Sequence, residues 1–328
     1  MQAQPKVSIC IPTHNQAQFL PQCLEKALAQ TYADYEVVVS INHCTDDTER
    51  VVQPYLSHPR LRVVRPPTFL KPGENFRYAI EQSRGKYFNY IASDDWLYPE
   101  FLGALVPALD QHPNVVFGFT ASTFTDVTGK ITNINRSLGG SYVRNGYREL
   151  ERYINAFCAT GDALLIRRSA YDAVGGIRTQ IVDWELCLKL LCHGDVAYNN
   201  RILCNVRMWQ DEERKTNRKV QLIAWLHEFF EECERYVCVR YPEYRQEFAS
   251  ARLKRALKES LNLDTYPATL RAEAVQEIDR LARDWRASAA LRLVAQYRLS
   301  SPLRSLMQAN TRLRFLAKHW LFARAIGA

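Results

Sequence analysis

The first hundred residues alternate between two spacings of their hydrophobic positions. Val7 to Ile11, Glu36 to Ile41, Arg62 to Val64 and Tyr87 to Ile91 are short runs rich in β-branched and aromatic residues, the pattern of strands covered on both faces. Between the first two runs, Leu20, Cys23, Leu24, Ala27 and Leu28 fall on one face of a helix predicted over Phe19 to Gln30. A second helix is predicted over Asp46 to Leu56, with Asp46, Asp47 and Glu49 in the turn where carboxylates oppose the helix dipole favourably. A third spans Gly73 to Ser83. Strands alternating with helices in this way predict an α/β fold with a doubly wound, mostly parallel sheet, whose ligands sit beyond the carboxyl ends of the strands. Those ends read Pro12-Thr13-His14-Asn15, Asn42-His43-Cys44 and Ser93-Asp94-Asp95.

Further along, strands are predicted at Val115 to Phe119, Ala163 to Ile166 and Leu203 to Met208. Helices are predicted near Tyr147 to Ala156, Ser169 to Val174 and Asp183 to His193, with Gly175-Gly176 stopping the second. After Asn217 the strand signals give way to helical ones punctuated by Pro242, Pro267 and Pro302. A boundary near residue 215 therefore separates an α/β domain, 1–215, from an all-helical region, 216–328.

Composition narrows the class. With 328 residues, 47% hydrophobic and 24% charged, the chain has the means for a large core, which argues against disordered and small disulfide-scaffold classes. No apolar run reaches the eighteen or so residues of a membrane span, and MQAQPKVSICIP lacks the regions of a signal peptide, so a cytoplasmic protein is the expectation. Nine cysteines without a C-x-x-C pair argue for reduced thiols and against a zinc site. The formal charge of +8 is concentrated at the end: residues 283–328 carry nine basic residues against one acid, Asp284, interleaved with Trp285, Tyr297, Phe315 and Trp320. Such a segment suits the interface of an anionic membrane or, equally, a helical face packed on the rest of the protein. It carries no nucleic-acid module, and no nucleic-acid partner is expected.

The strongest chemical signal is Asp94-Asp95 at the exit of an apolar strand. Adjacent carboxylates repel unless a cation or a dipole compensates. Two readings follow at even weight: Asp95 caps a helix containing Pro99 to Leu109, or the pair serves a hard divalent cation, Mg²⁺ or Mn²⁺. Asp183 at a helix start likewise reads as an ordinary dipole-facing carboxylate from its position alone.

Two collinear stretches, VSICIPTHNQAQFLPQCLEKALAQTYADYEVVVSINHCTDDT and GENFRYAIEQSRGKYFNYIASDDWLYPEFL, resemble the nucleotide-sugar-binding half of family 2 glycosyltransferases, the inverting GT-A type. A later block, RRSAYDAVGGIRTQIVDWELCLKLLCHGDVAYNN, resembles the acceptor half. The resemblance implies a GT-A-like catalytic domain over 1–215, with the donor half at 1–110 and the acceptor half at 111–215. It implies Pro12, Thr13 and Asn15 beside the nucleotide, Asn42 at the turn facing the base and Asn75 near the same pocket. It places Asp94 on ribose or phosphate, Asp95 on a divalent metal that bridges the diphosphate, and Asp183 as general base; were an Asp183 variant to keep full activity, Asp162 would be the next candidate. The implied partners are a nucleotide-diphosphate sugar and a glycan or lipid-linked acceptor, used at the cytoplasmic face of the membrane.

Departures from the pattern are specific. Ile41 stands where the family has a base-reading Asp, which leaves Asn42 to select the base. Ala92 replaces the first acid of the longer D-x-D-D run, Val182 the Glu of Glu-Asp, and Trp209 falls near a usual His. His14, His43 and His193 stand alone and read as loop or core residues. Arg207, Arg214, Lys215 and Arg218 form a candidate lid over the diphosphate. Two rivals remain: a sugar-phosphate nucleotidyltransferase, whose Gly-rich signature Pro12-Thr13-His14-Asn15 does not supply, and a non-catalytic relative, kept open by Ile41, Val182 and Trp209.

Overall fold

The computed structural model describes residues 4–136, 139–156, 159–208, 212–261 and 268–283. Trp209 and the basic segment beyond Arg283, with its membrane-surface reading, lie outside the described residues, as do the side chains of Arg214, Lys215 and Arg218. The chain divides into two compact units, Met1–Gln210 and Asp211–Ala328.

In the first unit, β1 (Val7–Thr13), β2 (Tyr35–Ile41), β3 (Leu61–Val64) and β4 (Tyr87–Tyr90) lie parallel in the order β3-β2-β1-β4. Every residue of β1, β2 and β4 is buried, which is why these strands read as unbroken apolar runs. The crossovers are α1 (Leu20–Leu28), α2 (Thr48–Val52) and α3 (Pro72–Glu81), and α1 buries Leu20, Cys23, Leu24 and Ala27 as its spacing requires. The second helix is shorter than predicted. Asp46 stays outside it, its Oδ1 accepting the Thr48 N–H at 3.0 Å, and Pro54, which has no N–H to give, turns the far end into a 3₁₀ turn over Gln53–Tyr55.

The sheet continues through β5 (Trp96–Leu97), α4 (Phe101–Gln111), β6 (Val115–Thr125), β7 (Ile131–Asn135), β8 (Tyr142–Arg144), α5 (Gly146–Asn155), β9 (Leu164–Arg167), α6 (Arg168–Ala173), α7 (Val182–Leu191) and β10 (Asp195–Arg207). Its order is β3-β2-β1-β4-β9-β6-β10-β5, with β7 on β6 and β8 on β10. Here the predicted parallel arrangement becomes mixed: β9 is antiparallel to both β4 and β6, while β6 and β10 are parallel. An antiparallel strand enters at the end where its parallel neighbour leaves. The turn that leads into β9 is thereby delivered to the carboxyl end of β4, the side where ligands bind in such sheets.

The loop before α7 is fixed by a charged pair. Glu185 accepts the backbone N–H groups of Arg178 and Thr179 and pairs with Lys189 at 2.5 Å, both side chains fully buried. Removing either partner of such a pair typically costs about 3–5 kcal/mol, because the other charge is left uncompensated. Pairing at i,i+4 on α7 holds the helix start, and with it Asp183, against the loop.

In the second unit, α8 (Glu212–Arg240), α9 (Arg245–Leu261) and α10 (Ala268–Arg283) are helices, and Val220 and Ile223 of α8 bury themselves against Ala274 and Ile278 of α10. No described helix is long and apolar enough to cross a membrane.

Candidate active site

The carboxyl ends of β1, β2 and β4 form one edge, and side chains stitch the loops above it together. Pro12 and Thr13 end β1 beside Ser40 and Ile41 of β2 and are buried, and the Thr13 hydroxyl has no hydrogen-bond partner. Asn15 takes a left-handed backbone, φ 52°, which asparagine tolerates better than most residues. Its Oδ1 accepts the Thr45 N–H at 2.8 Å, and the Asp46 carboxylate accepts the Ala17 N–H at 2.9 Å. His14 and His43 are spent locally, on the carbonyls of Asn42 and Pro66, in keeping with their loop reading.

Asn42 donates to the Leu70 carbonyl at 2.8 Å and accepts the Leu70 N–H at 3.0 Å. Both ends of its amide thus clip the loop before α3 to the end of β2. Asn75 accepts the Ser40 hydroxyl at 2.6 Å and buttresses the same wall. Ile41 is buried and brings no carboxylate to this wall.

Asp95 begins no helix. It closes a turn onto the Ala92 carbonyl and is followed by β5, whereas α4 starts only at Phe101. The capping reading fails on this geometry. Asp95 is instead 4% exposed, with Oδ1 accepting the Arg207 N–H at 2.6 Å from β10. Asp94 is half-buried at the rim. The Arg207 guanidinium donates to the Asp94 carbonyl at 2.8 Å and to Gln22 Oε1 at 2.7 Å, and lies 4.2 Å from the centroid of the Phe19 ring. Arg207 is therefore a fixed wall and not part of a lid.

Two further carboxylates arrive from distant sequence. Asp162, in the turn before β9, accepts the Ala92 N–H at 2.6 Å across 70 residues. Asp183, at the start of α7, accepts the Tyr90 hydroxyl at 2.9 Å across 93 residues. Gly161 makes this possible, since a Cβ there would lie 2.0 Å from the Asp183 carboxyl carbon. The electrostatics reflect the crowding. Burial, then the charge of Asp162, holds the Asp95 carboxyl well above the usual carboxylate range. Burial and the charge of Asp183 push Asp162 up to about 7. Burial raises Asp183 to about 6, against the Tyr90 hydroxyl, which favours the anion.

The edge thus carries Thr13, Asn15, Asp94, Asp95 and Asp183, and the amides of Asn42 and Asn75 hold its wall. The sequence reading passed over Tyr90, which ends an apolar strand and carries no motif. Tyr90→Phe is expected to shift the acid limb of the pH dependence of kcat/KM upward, because Asp183 loses a bond that stabilises its charged form. An unmoved limb would separate Asp183 from the rate.

Among the described residues, no group of three or more His, Cys, Asp or Glu is placed to hold a metal by itself. Asp95 and Asp162 lie in contact and would offer hard oxygens once a cation displaces the proton that burial and mutual repulsion keep on the pair, and a cation of the magnesium class usually takes only one or two protein carboxylates beside substrate phosphates and water.

The family match makes the chain a glycosyltransferase, and its fold is of the GT-A type. The chain belongs to glycosyl transferase family 2, whose profile matches residues 8–175, just over half of it. It is 29% identical over 209 residues to the chondroitin synthase of Escherichia coli, covering 61% of this chain and 29% of that protein. It is 26% identical over 182 residues to the abequosyltransferase RfbV of Salmonella typhimurium, covering 51% and 54%. The chain spans less than a third of the length of the chondroitin and hyaluronan synthases that it matches. Among solved structures, S. aureus TarS 1-349 in complex with UDP-GlcNAc superposes with a TM-score of 0.53 at 14% identity, covering 86% of this chain and 91% of that one. The mannosyltransferase PcManGT of Pyrobaculum calidifontis, in complex with GDP-Man and Mn²⁺, superposes with a TM-score of 0.53 and covers 94% and 89%.

Proposed function

We propose that this glycosyltransferase is inverting, and that it moves one sugar from a nucleotide-diphosphate donor to a glycan or lipid-linked acceptor with Asp183 as general base. The observation that carries this reading is the seat of Asp183. Its carboxyl is held by Tyr90 at the carboxyl edge of the sheet, with an affinity for protons, about 6, that leaves it ionised at neutral pH and still able to accept a proton. A single displacement at the anomeric carbon needs one base for the acceptor hydroxyl and one means of taking up charge on the departing diphosphate. Asp183 meets the first need.

For the second, Asp95 with Asp162 beside it would hold a Mg²⁺ or Mn²⁺ ion. When bound, that ion would offset the charge that develops on the leaving diphosphate. Pro12, Thr13 and Asn15 shape the loop around the nucleotide, and Asp94 reaches ribose or phosphate from the rim. With Ile41 buried and one donor and one acceptor of Asn42 given to Leu70, base selection falls to backbone groups and loop shape. A nucleotide-sugar donor is supported by the UDP-GlcNAc and GDP-Man in the structural neighbours, and Mn²⁺ by the second of them.

Calorimetric titration with uridine, guanosine, cytidine and thymidine diphosphates, with and without Mn²⁺, tests the donor reading. One diphosphate is expected to bind at least about tenfold more tightly with the ion, an effect of about 1.4 kcal/mol or more. Absence of Mn²⁺-dependent binding to all four would overturn it.

A further inference from the structure

We infer that Asn89 is a positioning residue for the reaction: its side chain takes over from the backbone ladder where β9 parts from β4, and so sets the turn against which Asp183 is seated. Strand β4 is buried on both faces, and Asn89, fully buried among Tyr87, Phe88 and Tyr90, is its only residue without an aromatic ring. A buried amide is retained at a cost unless its polar atoms find partners. Both hydrogens of Asn89 do, while its Oδ1 stays buried without a hydrogen-bond partner. The β4–β9 ladder ends at Phe88 opposite Ile166, and from the next residue Asn89 Nδ2 donates to the Leu164 carbonyl at 2.7 Å and the Asp162 carbonyl at 2.8 Å. An amide thus spans the widening gap that backbone N–H groups of β4 no longer bridge.

What it holds is the Gly161–Ala163 turn. That turn closes on the Thr160 carbonyl and sends the Asp162 carboxyl to the Ala92 N–H. Its Gly161 leaves no room for a Cβ beside the Asp183 carboxyl. Asn89 therefore reaches Asp183 through one rigid turn, while its own burial keeps it from any substrate. A shift of about 1 Å in such a seat can cost roughly a hundredfold in rate, because the reacting groups lose their alignment. Leucine matches the size of asparagine but leaves both carbonyls unpaired. Alanine leaves space that water can fill.

The inference rests on the reading of Asp183 as base. Asn89→Leu and Asn89→Ala are to be compared with the parent and with Asp183→Asn, all at rates normalised to the number of donor sites titrated by calorimetry, so that unfolded protein does not count. The expected result is a roughly ten- to hundredfold fall in kcat per site for Asn89→Leu and a smaller fall for Asn89→Ala. The acid limb of the pH profile should move, a readout that a merely structural role would leave alone. If Asn89→Leu does not fold, Asn89→Ala carries the comparison. A role confined to stability would lower the number of sites and leave kcat per site and the pH limb alone, and that result overturns the inference. An inactive Asp183→Asn beside unaltered Asn89 variants overturns this inference alone. An active Asp183→Asn overturns the base assignment and this inference with it.

Discussion

Asp183→Asn is expected to keep nucleotide-diphosphate binding while losing transfer by about a hundredfold to ten-thousandfold, the usual cost of removing a general base. The amide preserves shape and can still accept the Tyr90 hydroxyl, so the loss reports basicity. The same substitution should also stabilise the fold. Asp183 titrates near 6 in the folded protein, above the ordinary carboxylate value of 3.8. Between those two values the native state holds a proton that the unfolded chain has released, so stability falls as pH rises through the window, and the deficit is complete above about 6. Asparagine removes the deficit. Unfolding free energies from urea titration should therefore exceed the parent's at pH 7.5, by roughly 1–3 kcal/mol, and converge with it below pH 4. A variant that remains fully active, or a stability difference that ignores pH, would return Asp183 to the role of an ordinary helix-start carboxylate.

Asp95→Ala should abolish the Mn²⁺ dependence of donor binding. Loss of a residue that merely supports a metal ligand costs about ten- to a hundredfold in metal affinity, so loss of a ligand should exceed that. Because Asp95 also accepts the Arg207 N–H, Asp95→Asn is the companion variant: its amide oxygen keeps that bond to β10 while the charge is gone. Both variants should lose the metal effect and only the alanine variant should lose stability. Electron paramagnetic resonance of free Mn²⁺ during titration reads this directly. Unchanged affinity in both would leave Asp95 as a structural link between the β4 exit and β10.

Strands β1, β2 and β4 were legible because they are buried on both faces. Val7 to Ile11 and Glu36 to Ile41 read as unbroken runs, and α1 shows its buried face at every third or fourth residue. The Asp94-Asp95 pair at a strand exit was visible for the same reason, since in such sheets the exit is where ligands bind. Where local patterns stopped, so did the reading. Strand β5 is two residues long, and all of β7 is exposed, so neither has a period to detect. Asn42 looked available to a base until the Leu70 backbone was seen to occupy its amide.

Local order along the chain specified the alternation of strands and helices, the edge where ligands bind and most of the carboxylates there, because burial on one or both faces leaves a periodic trace within a few residues. The antiparallel entry of β9, the meeting of Asp162 with Ala92 and Asp95, the Tyr90 hydrogen bond to Asp183 and the span of Asn89 came only with the folded chain. Each joins groups far apart in sequence, as Asp162 meets Ala92 across 70 residues and Asp183 meets Tyr90 across 93. Such a contact depends on which strands become neighbours, and no periodicity in either segment records it.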